Sequence, residues 1–338
     1  MWTYLAIISI SALLLSVLYI NLASIFGIYD NPGGRSSHSS RTITGMGIIF
    51  PLLIVIYSIF YPQEIAPYFI IGFLMMVTIS FVDDLFYIKH SVRLVFQVFA
   101  LILMVLSLAM NYEIALPVMI TLVIFGIGVI NAFNFMDGVN GMLGLTSLVV
   151  LGSFYYLNEN LVGEDGLPLQ FVHPELILTV MAGLVAFLIF NFRTKAKAFA
   201  GDVGSIGLSM TIIYMMYKLL LVSGNYTYLL LFAVFGIDAG LTVIYKLILK
   251  ENIFVPHRDF LFKKLVHIAK FKHLRVSIYY ALIQLMINVF ILFQPMEMIL
   301  STQLSILFII IVGLISIYIL SRSRLTKNRI RINFIERD

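Results

Sequence analysis

The 338-residue chain has no cysteine, one tryptophan, nine prolines and only 12% charged residues. Without cysteine, disulfide staples and thiolate-ligated metal sites are excluded. The charge content is about half the roughly 25% usual for soluble domains, while 61% of residues are hydrophobic and the mean hydropathy is +1.03. These proportions describe an all-α, polytopic integral membrane protein. A spanning helix needs about 20 apolar residues, so this length holds ten or eleven spans and no separate soluble domain. Internal repeats and low-complexity segments are absent, which leaves the inverted-repeat pattern of many transporters unsupported.

Apolar runs predict about eleven spans, at 3–26, 45–61, 66–83, 94–110, 116–133, 140–157, 174–191, 203–222, 227–247, 277–295 and 299–320. The first run lacks a basic leader and is too long for a signal-peptide core, so it is expected to be a retained span. With these boundaries the basic residues fall almost entirely on one side, that of loops 27–44, 84–93, 192–203 and 248–276 and a basic tail at 321–338, a side that also holds loop 131–141. The other side receives only Lys218, together with most of the loop acids. The positive-inside rule then predicts an external N-terminus and a cytoplasmic C-terminus. The net charge of +5 is accounted for by topology and anionic headgroups, with nothing that suggests nucleic acid.

Against this apolar background, polar residues gather at the cytoplasmic ends of the spans. Asn131, Asn134, Asp137 and Asn140, with Gly138 and Gly141, lie between two long apolar runs. Unpartnered in hydrocarbon, such groups would each cost several kcal/mol, roughly, so they point to a cation or a phosphate-bearing ligand. Asp83 and Asp84 end a span and are followed by Lys89 and Arg93. Adjacent helical residues diverge by about 100°, so one Asp is free to ligate or act as a base while its neighbour pairs with a basic side chain. Asp202 stands at a loop-to-span junction in Phe199-Ala-Gly-Asp-Val-Gly-Ser205. Alone it reads as a helix cap; beside Asp137 and the aspartate pair on the same face, it reads better as a metal ligand. Asp238 is a lone acid inside an apolar run, equally compatible with a functional site and with an interhelical hydrogen bond. The first internal loop offers Arg35, His38 and Arg41 around Pro32, Gly33 and Gly34, and the last offers His257, Arg258 and Asp259 in an amphipathic basic stretch.

Taken in this order, Asp83-Asp84 with Arg93, Asn131-xx-Asn134-xx-Asp137-Gly138, Phe199-x-Gly-Asp202-x-Gly-Ser205 and His257-Arg258-Asp259 resemble the polyprenyl-phosphate N-acetylhexosamine-1-phosphate transferases of glycosyltransferase family 4. That membrane family includes bacterial undecaprenyl-phosphate GlcNAc-1-phosphate transferases. The resemblance runs from Asp30 to about Leu265, and it departs from the family pattern where Phe260, Phe262 and Lys263 replace histidines.

The resemblance implies one transmembrane catalytic domain over 1–320 in the inner, cytoplasmic membrane, with the active site facing the cytoplasm. There the phosphate of undecaprenyl phosphate attacks a UDP-N-acetylhexosamine and expels UMP, as a first membrane step of envelope polysaccharide synthesis. It further implies Mg²⁺, with Mn²⁺ as a substitute, held by Asp202 and Asn134. Asp83 or Asp84 is the candidate base, with Asp137 in support; Arg93 and Arg35 hold phosphate, His257 and Arg258 hold the sugar, and Asn140 and Asp238 hold uridine. UDP-GlcNAc is the default donor, UDP-QuiNAc or UDP-FucNAc the alternatives, and the His-Arg-Asp loop speaks against a MurNAc-pentapeptide donor. The oligomeric state stays open, a homodimer included. The competing classes are a polytopic transporter, whose buried acids belong near the midplane, and an intramembrane prenyltransferase, which needs paired acidic repeats not found here.

Overall fold

The computed structural model describes residues 1–30, 41–86, 88–163, 166–251, 259–295 and 298–335. Helix α1 spans Trp2–Phe26 and closes on Gly27, whose φ of 71° is left-handed. A two-residue hairpin follows, β1 (Tyr29–Asp30) antiparallel to β2 (Thr42–Ile43). A 3₁₀ turn at Met46–Ile48 leads into α2 (Ile49–Phe60), followed by α3 (Pro67–Leu85), α4 (His90–Ala109), α5 (Leu116–Met136) and α6 (Met142–Asn160). Next come α7 (Pro174–Asn191), α8 (Gly201–Ser223) and a second 3₁₀ stretch, Tyr226–Phe232, that runs into α9 (Ala233–Ile248). The short α10 (Leu261–His267) precedes α11 (His273–Leu292) and α12 (Leu300–Ile335). Proline stands in the first turn of α3, α5 and α7, where its missing N–H has no helical acceptor to lose.

Each of the eleven expected spans coincides with a helix, but among the described residues only nine are long and apolar enough to cross a membrane alone. The exceptions have different causes. The Met46–Phe60 segment is short, whereas α6 has sufficient length but carries buried Thr146, Ser147, Ser153 and Asn158, which α7 and α11 pack against. The boundaries differ as well. Helix α5 continues to Met136, so Asn131 and Asn134, expected in a loop, are helical, and α12 continues past Leu320 to Ile335 where a tail was expected.

Helix α8 is the axis of the bundle. Of its most apolar window 78% is buried, against 17% for α1 and 6% for Leu300–Thr326; the last two leave many of their apolar side chains exposed. It packs on α3 and α5 and also meets α2. Close approach is possible because α8 presents glycine: a Cβ on Gly204 would fall 2.6 Å from the Gly47 Cα, and one on Gly207 2.9 Å from Pro51. Backbone pairing strengthens this contact, since the amide of Phe199 donates to the Ile43 carbonyl at 2.8 Å and those of Met46 and Gly47 donate to the carbonyls of Phe199 and Ala200 at 3.0 and 2.9 Å. The start of α8 is thereby fixed against the segment leading into α2.

Candidate active site

The ends of α1, α3, α5 and α7 and the starts of α4, α6, α8 and α11 meet at one face, around a cavity of about 520 Å³. That size lies within the roughly 300–1,000 Å³ common for ligand pockets. Asp83, Asp84, Arg93, Asn134, Asp137, Asn140 and Asp202, from three of the predicted motifs, all line it. Arg35, His257 and Arg258 lie outside the described residues.

The two aspartates at the end of α3 diverge, as their spacing requires. Asp83 accepts the Ile88 amide at 2.8 Å and meets Arg93 Nη1 at 2.6 Å. Asp84 turns to α8, where it accepts the amides of Asp202 and Val203 at 2.8 and 3.0 Å. Arg93, in the first turn of α4, also places Nη1 2.6 Å from Asp202 Oδ2. One guanidinium therefore ties the carboxylates of α3 and α8 together.

The last turn of α5 separates its two asparagines. Asn131 donates to the Ile127 carbonyl at 2.7 Å and to Gln97 at 3.3 Å, so it serves the α4–α5 contact. Asn134 faces α8 and donates to Ser205 Oγ at 3.3 Å. Asp137 follows the helix at φ −77°, ψ 56°. Its carboxyl is pushed up to about 7, first by withdrawal from water and then by the neighbouring Asp202 carboxylate. Asn140 donates to the Arg193 carbonyl at 2.7 Å, and the amide of Gly141, at φ +81°, donates to Asn191 Oδ1 at 2.6 Å. The central motif is thus fixed to the end of α7 while Asp137 and Asn140 remain at the cavity wall.

Asp238, expected beside Asn140, does not line this cavity. Its carboxylate accepts the amides of Leu261 and Phe262 at 2.8 and 3.2 Å and the Tyr280 hydroxyl at 2.6 Å. It anchors α10 to α9 and α11, and this presents Lys263 to the cavity. The signal that suggested a ligand, an acid buried in an apolar run, is explained by these three donors. Replacing Asp238 with Ala is expected to cost about 3 kcal/mol of stability and to loosen α10, measured as thermal unfolding and as proteolysis at 252–270.

Lys263, His273, His90 and Asp30 also line the cavity; none was given a site role from sequence, Lys263 being noted only where it replaces a histidine of the family pattern. The run of lysines around Lys263 reads as a solvated basic loop, and His273 carries no motif. Among the described residues no three His, Asp or Glu side chains converge as a ready-made metal cluster. The oxygen donors Asp202, Asn134 and Asp137 nevertheless suit a hard divalent cation, which takes one or two carboxylates and completes its shell with water and substrate phosphate. The raised Asp137 carboxyl is a group that an added cation would favour in its charged form.

An all-α membrane bundle with carboxylates, carboxamides and one bridging arginine at its helix ends defines a class; the comparisons specify it. The model of glycosyl transferase family 4 matches residues 66–220. The chain is 30% identical over 61% of its length to a phospho-N-acetylmuramoyl-pentapeptide-transferase of Shouchella clausii, of which it covers 72%. It is 26% identical to an undecaprenyl-phosphate alpha-N-acetylglucosaminyl 1-phosphate transferase of Thermotoga maritima, over 81% of this chain and 84% of that one. It is 22% identical to a probable undecaprenyl-phosphate N-acetylglucosaminyl 1-phosphate transferase of Bacillus subtilis, over 80% and 78%. The chain belongs to glycosyl transferase family 4.

Proposed function

We propose that the protein transfers an N-acetylhexosamine 1-phosphate from a UDP-sugar to undecaprenyl phosphate and releases UMP. The observation that carries this is one cavity lined by Asp83, Asp84, Asp137, Asp202, Arg93 and Lys263, in which Arg93 bridges Asp83 and Asp202. Phosphoryl transfer asks a protein for positioning and charge neutralisation more than for covalent chemistry, and these groups supply both. Arg93, and Arg35 from the first loop, hold phosphate oxygens. Asp83 orients Arg93. Asn140 lies at the wall for the nucleotide, and His257 and Arg258 are assigned to the sugar. Asp202 and Asn134 would hold Mg²⁺ or Mn²⁺, which when bound supplies neutralising charge for the diphosphate. A lipid phosphate with a second pKa near 6, by analogy with phosphorylated side chains, is largely dianionic at neutral pH and needs little help from a base.

The relatives matched over about four-fifths of this chain, from T. maritima and B. subtilis, are named for N-acetylglucosaminyl 1-phosphate. This supports UDP-GlcNAc as donor, with UDP-QuiNAc and UDP-FucNAc as alternatives, in envelope polysaccharide synthesis. The reading places the protein in the cytoplasmic membrane with the cavity inward and the N-terminus outward, so that the prenyl tail stays in lipid while the nucleotide arrives from water. A transporter fits less well, because the acids collect at helix ends on one face. The test is UMP release from each UDP-sugar with and without undecaprenyl phosphate. Lipid-dependent UMP from one donor supports the reading; solute flux without UMP sinks it.

A pH effect follows from Asp137. Its folded carboxyl titrates near 7, above the roughly 3.9 of an unfolded aspartate. Between those values the folded state holds more protons, so stability falls as pH rises through this window. Thermal unfolding in detergent without divalent cation is expected to show that decline. Asp137→Asn should make it shallower, and added Mg²⁺ should offset it in the wild type.

A further inference from the structure

Helix α8 begins inside the protein, and the residue before it cannot cap it. That residue is Ala200, which has no hydrogen-bonding side chain, while its carbonyl and that of Phe199 are taken by the backbone pairing with Met46 and Gly47. A helix start leaves N–H groups without intrahelical acceptors, and such groups are costly in a protein interior. Two of them, on Asp202 and Val203, are satisfied from another helix by Asp84 Oδ1 and Oδ2. The approach depends on Gly201. Its φ is +73°, in the left-handed region that favours glycine, and a Cβ there would fall 2.6 Å from Asp84 Oδ2 and 2.8 Å from the Gly45 Cα.

We propose that Asp84 is a positioning residue, a helix cap supplied by α3 that sets where Asp202 stands in the cavity. Both of its oxygens are committed to backbone amides, so any direct role of the aspartate pair toward substrate falls to Asp83. The arrangement closes a circuit. Asp84 holds the backbone of Asp202, the Asp202 side chain meets Arg93, Arg93 meets Asp83, and Asp83 is the chain neighbour of Asp84. Displacing the cap would therefore move Asp202 relative to Arg93 without removing either group.

The inference rests on the transferase reading only for its kinetic half, and the experiment separates the two. Amide hydrogen exchange is measured on the full-length protein in detergent for wild type, Asp84→Ala, Asp84→Asn, Gly201→Ala and the Asp84→Ala/Gly201→Ala pair. The expected result is at least a tenfold faster exchange of the Asp202 and Val203 amides in Asp84→Ala, with the second half of α8 as in wild type. Gly201→Ala should produce the same change, the pair should add nothing, and Asp84→Asn, which keeps one acceptor oxygen, should fall between. UMP release should drop in parallel, with a pH–rate profile of wild-type shape. Unchanged exchange in Asp84→Ala overturns the cap. A pH–rate limb lost in Asp84→Asn, with Gly201→Ala fully active, overturns the positioning role in favour of a direct one. Should wild type release no UMP, the transferase reading fails and the exchange result still decides the cap.

Discussion

Asp202→Asn is expected to lower UMP release by at least about a hundredfold to a thousandfold, the scale seen when a group that stabilises transition-state charge is lost. The substitution keeps volume and backbone, so the amide of residue 202 can still donate to Asp84. What disappears is the carboxylate, and with it the charge that meets Arg93 at 2.6 Å and the ligand proposed for a divalent cation. Asparagine offers a neutral oxygen, a far poorer partner for both. Circular dichroism and thermal unfolding of the variant should stay near wild type while the rate at saturating Mg²⁺ stays low. A variant that recovers the wild-type rate at high Mg²⁺ would restrict Asp202 to cation affinity.

Arg93→Ala is expected to cost stability as well as activity. A single guanidinium nitrogen lies 2.6 Å from carboxylates of both α3 and α8, and the side chains are mostly withdrawn from solvent at 17% exposure for Arg93, 10% for Asp83 and 29% for Asp202. Removing the cation leaves two like charges facing one cavity. Fully buried pairs broken in this way lose about 3–5 kcal/mol; the partial exposure here lowers the expectation to about 2 kcal/mol. Adding Asp83→Asn to Arg93→Ala should recover part of that stability while leaving activity low, because the repulsion is relieved and the phosphate-binding cation is still missing. Thermal unfolding of the two singles and the double completes the cycle. Additive losses would show that the bridge does not couple the helices.

Much of the architecture was legible because membrane insertion leaves a strong mark on sequence. Long apolar runs locate the spans, and their alternation brings Asp83, Asp137 and Asp202 to one face although the sequence places them far apart. The segments that departed from expectation have physical reasons. Helix α6 is surrounded by protein rather than lipid, so it tolerates Ser, Thr and Asn, and α12 continues because nothing in Ser321–Thr326 breaks a helix. The roles of individual polar residues were harder to read. Whether Asp84 faces ligand or backbone depends on a partner 118 residues away, and Asp238 carries the same hydropathy signal whether it binds a nucleotide or anchors α10. Asn131 and Asn134 belong to one motif but meet different neighbours, one Gln97 on α4 and one Ser205 on α8. Lys263 was visible only as a departure from a histidine pattern and His273 carried no motif, since only the fold of α10 and α11 brings them to the cavity.

In the proposed transfer the bond broken lies between the two phosphates of the donor. This is tested most directly with a UDP-GlcNAc labelled isotopically in the sugar-linked phosphate, incubated with undecaprenyl phosphate, Mg²⁺ and the purified protein. Sugar and labelled phosphate should pass together into the lipid fraction while unlabelled UMP accumulates, and Asp202→Asn should transfer neither. Sugar reaching the lipid while the label remains in released UDP would contradict this cleavage.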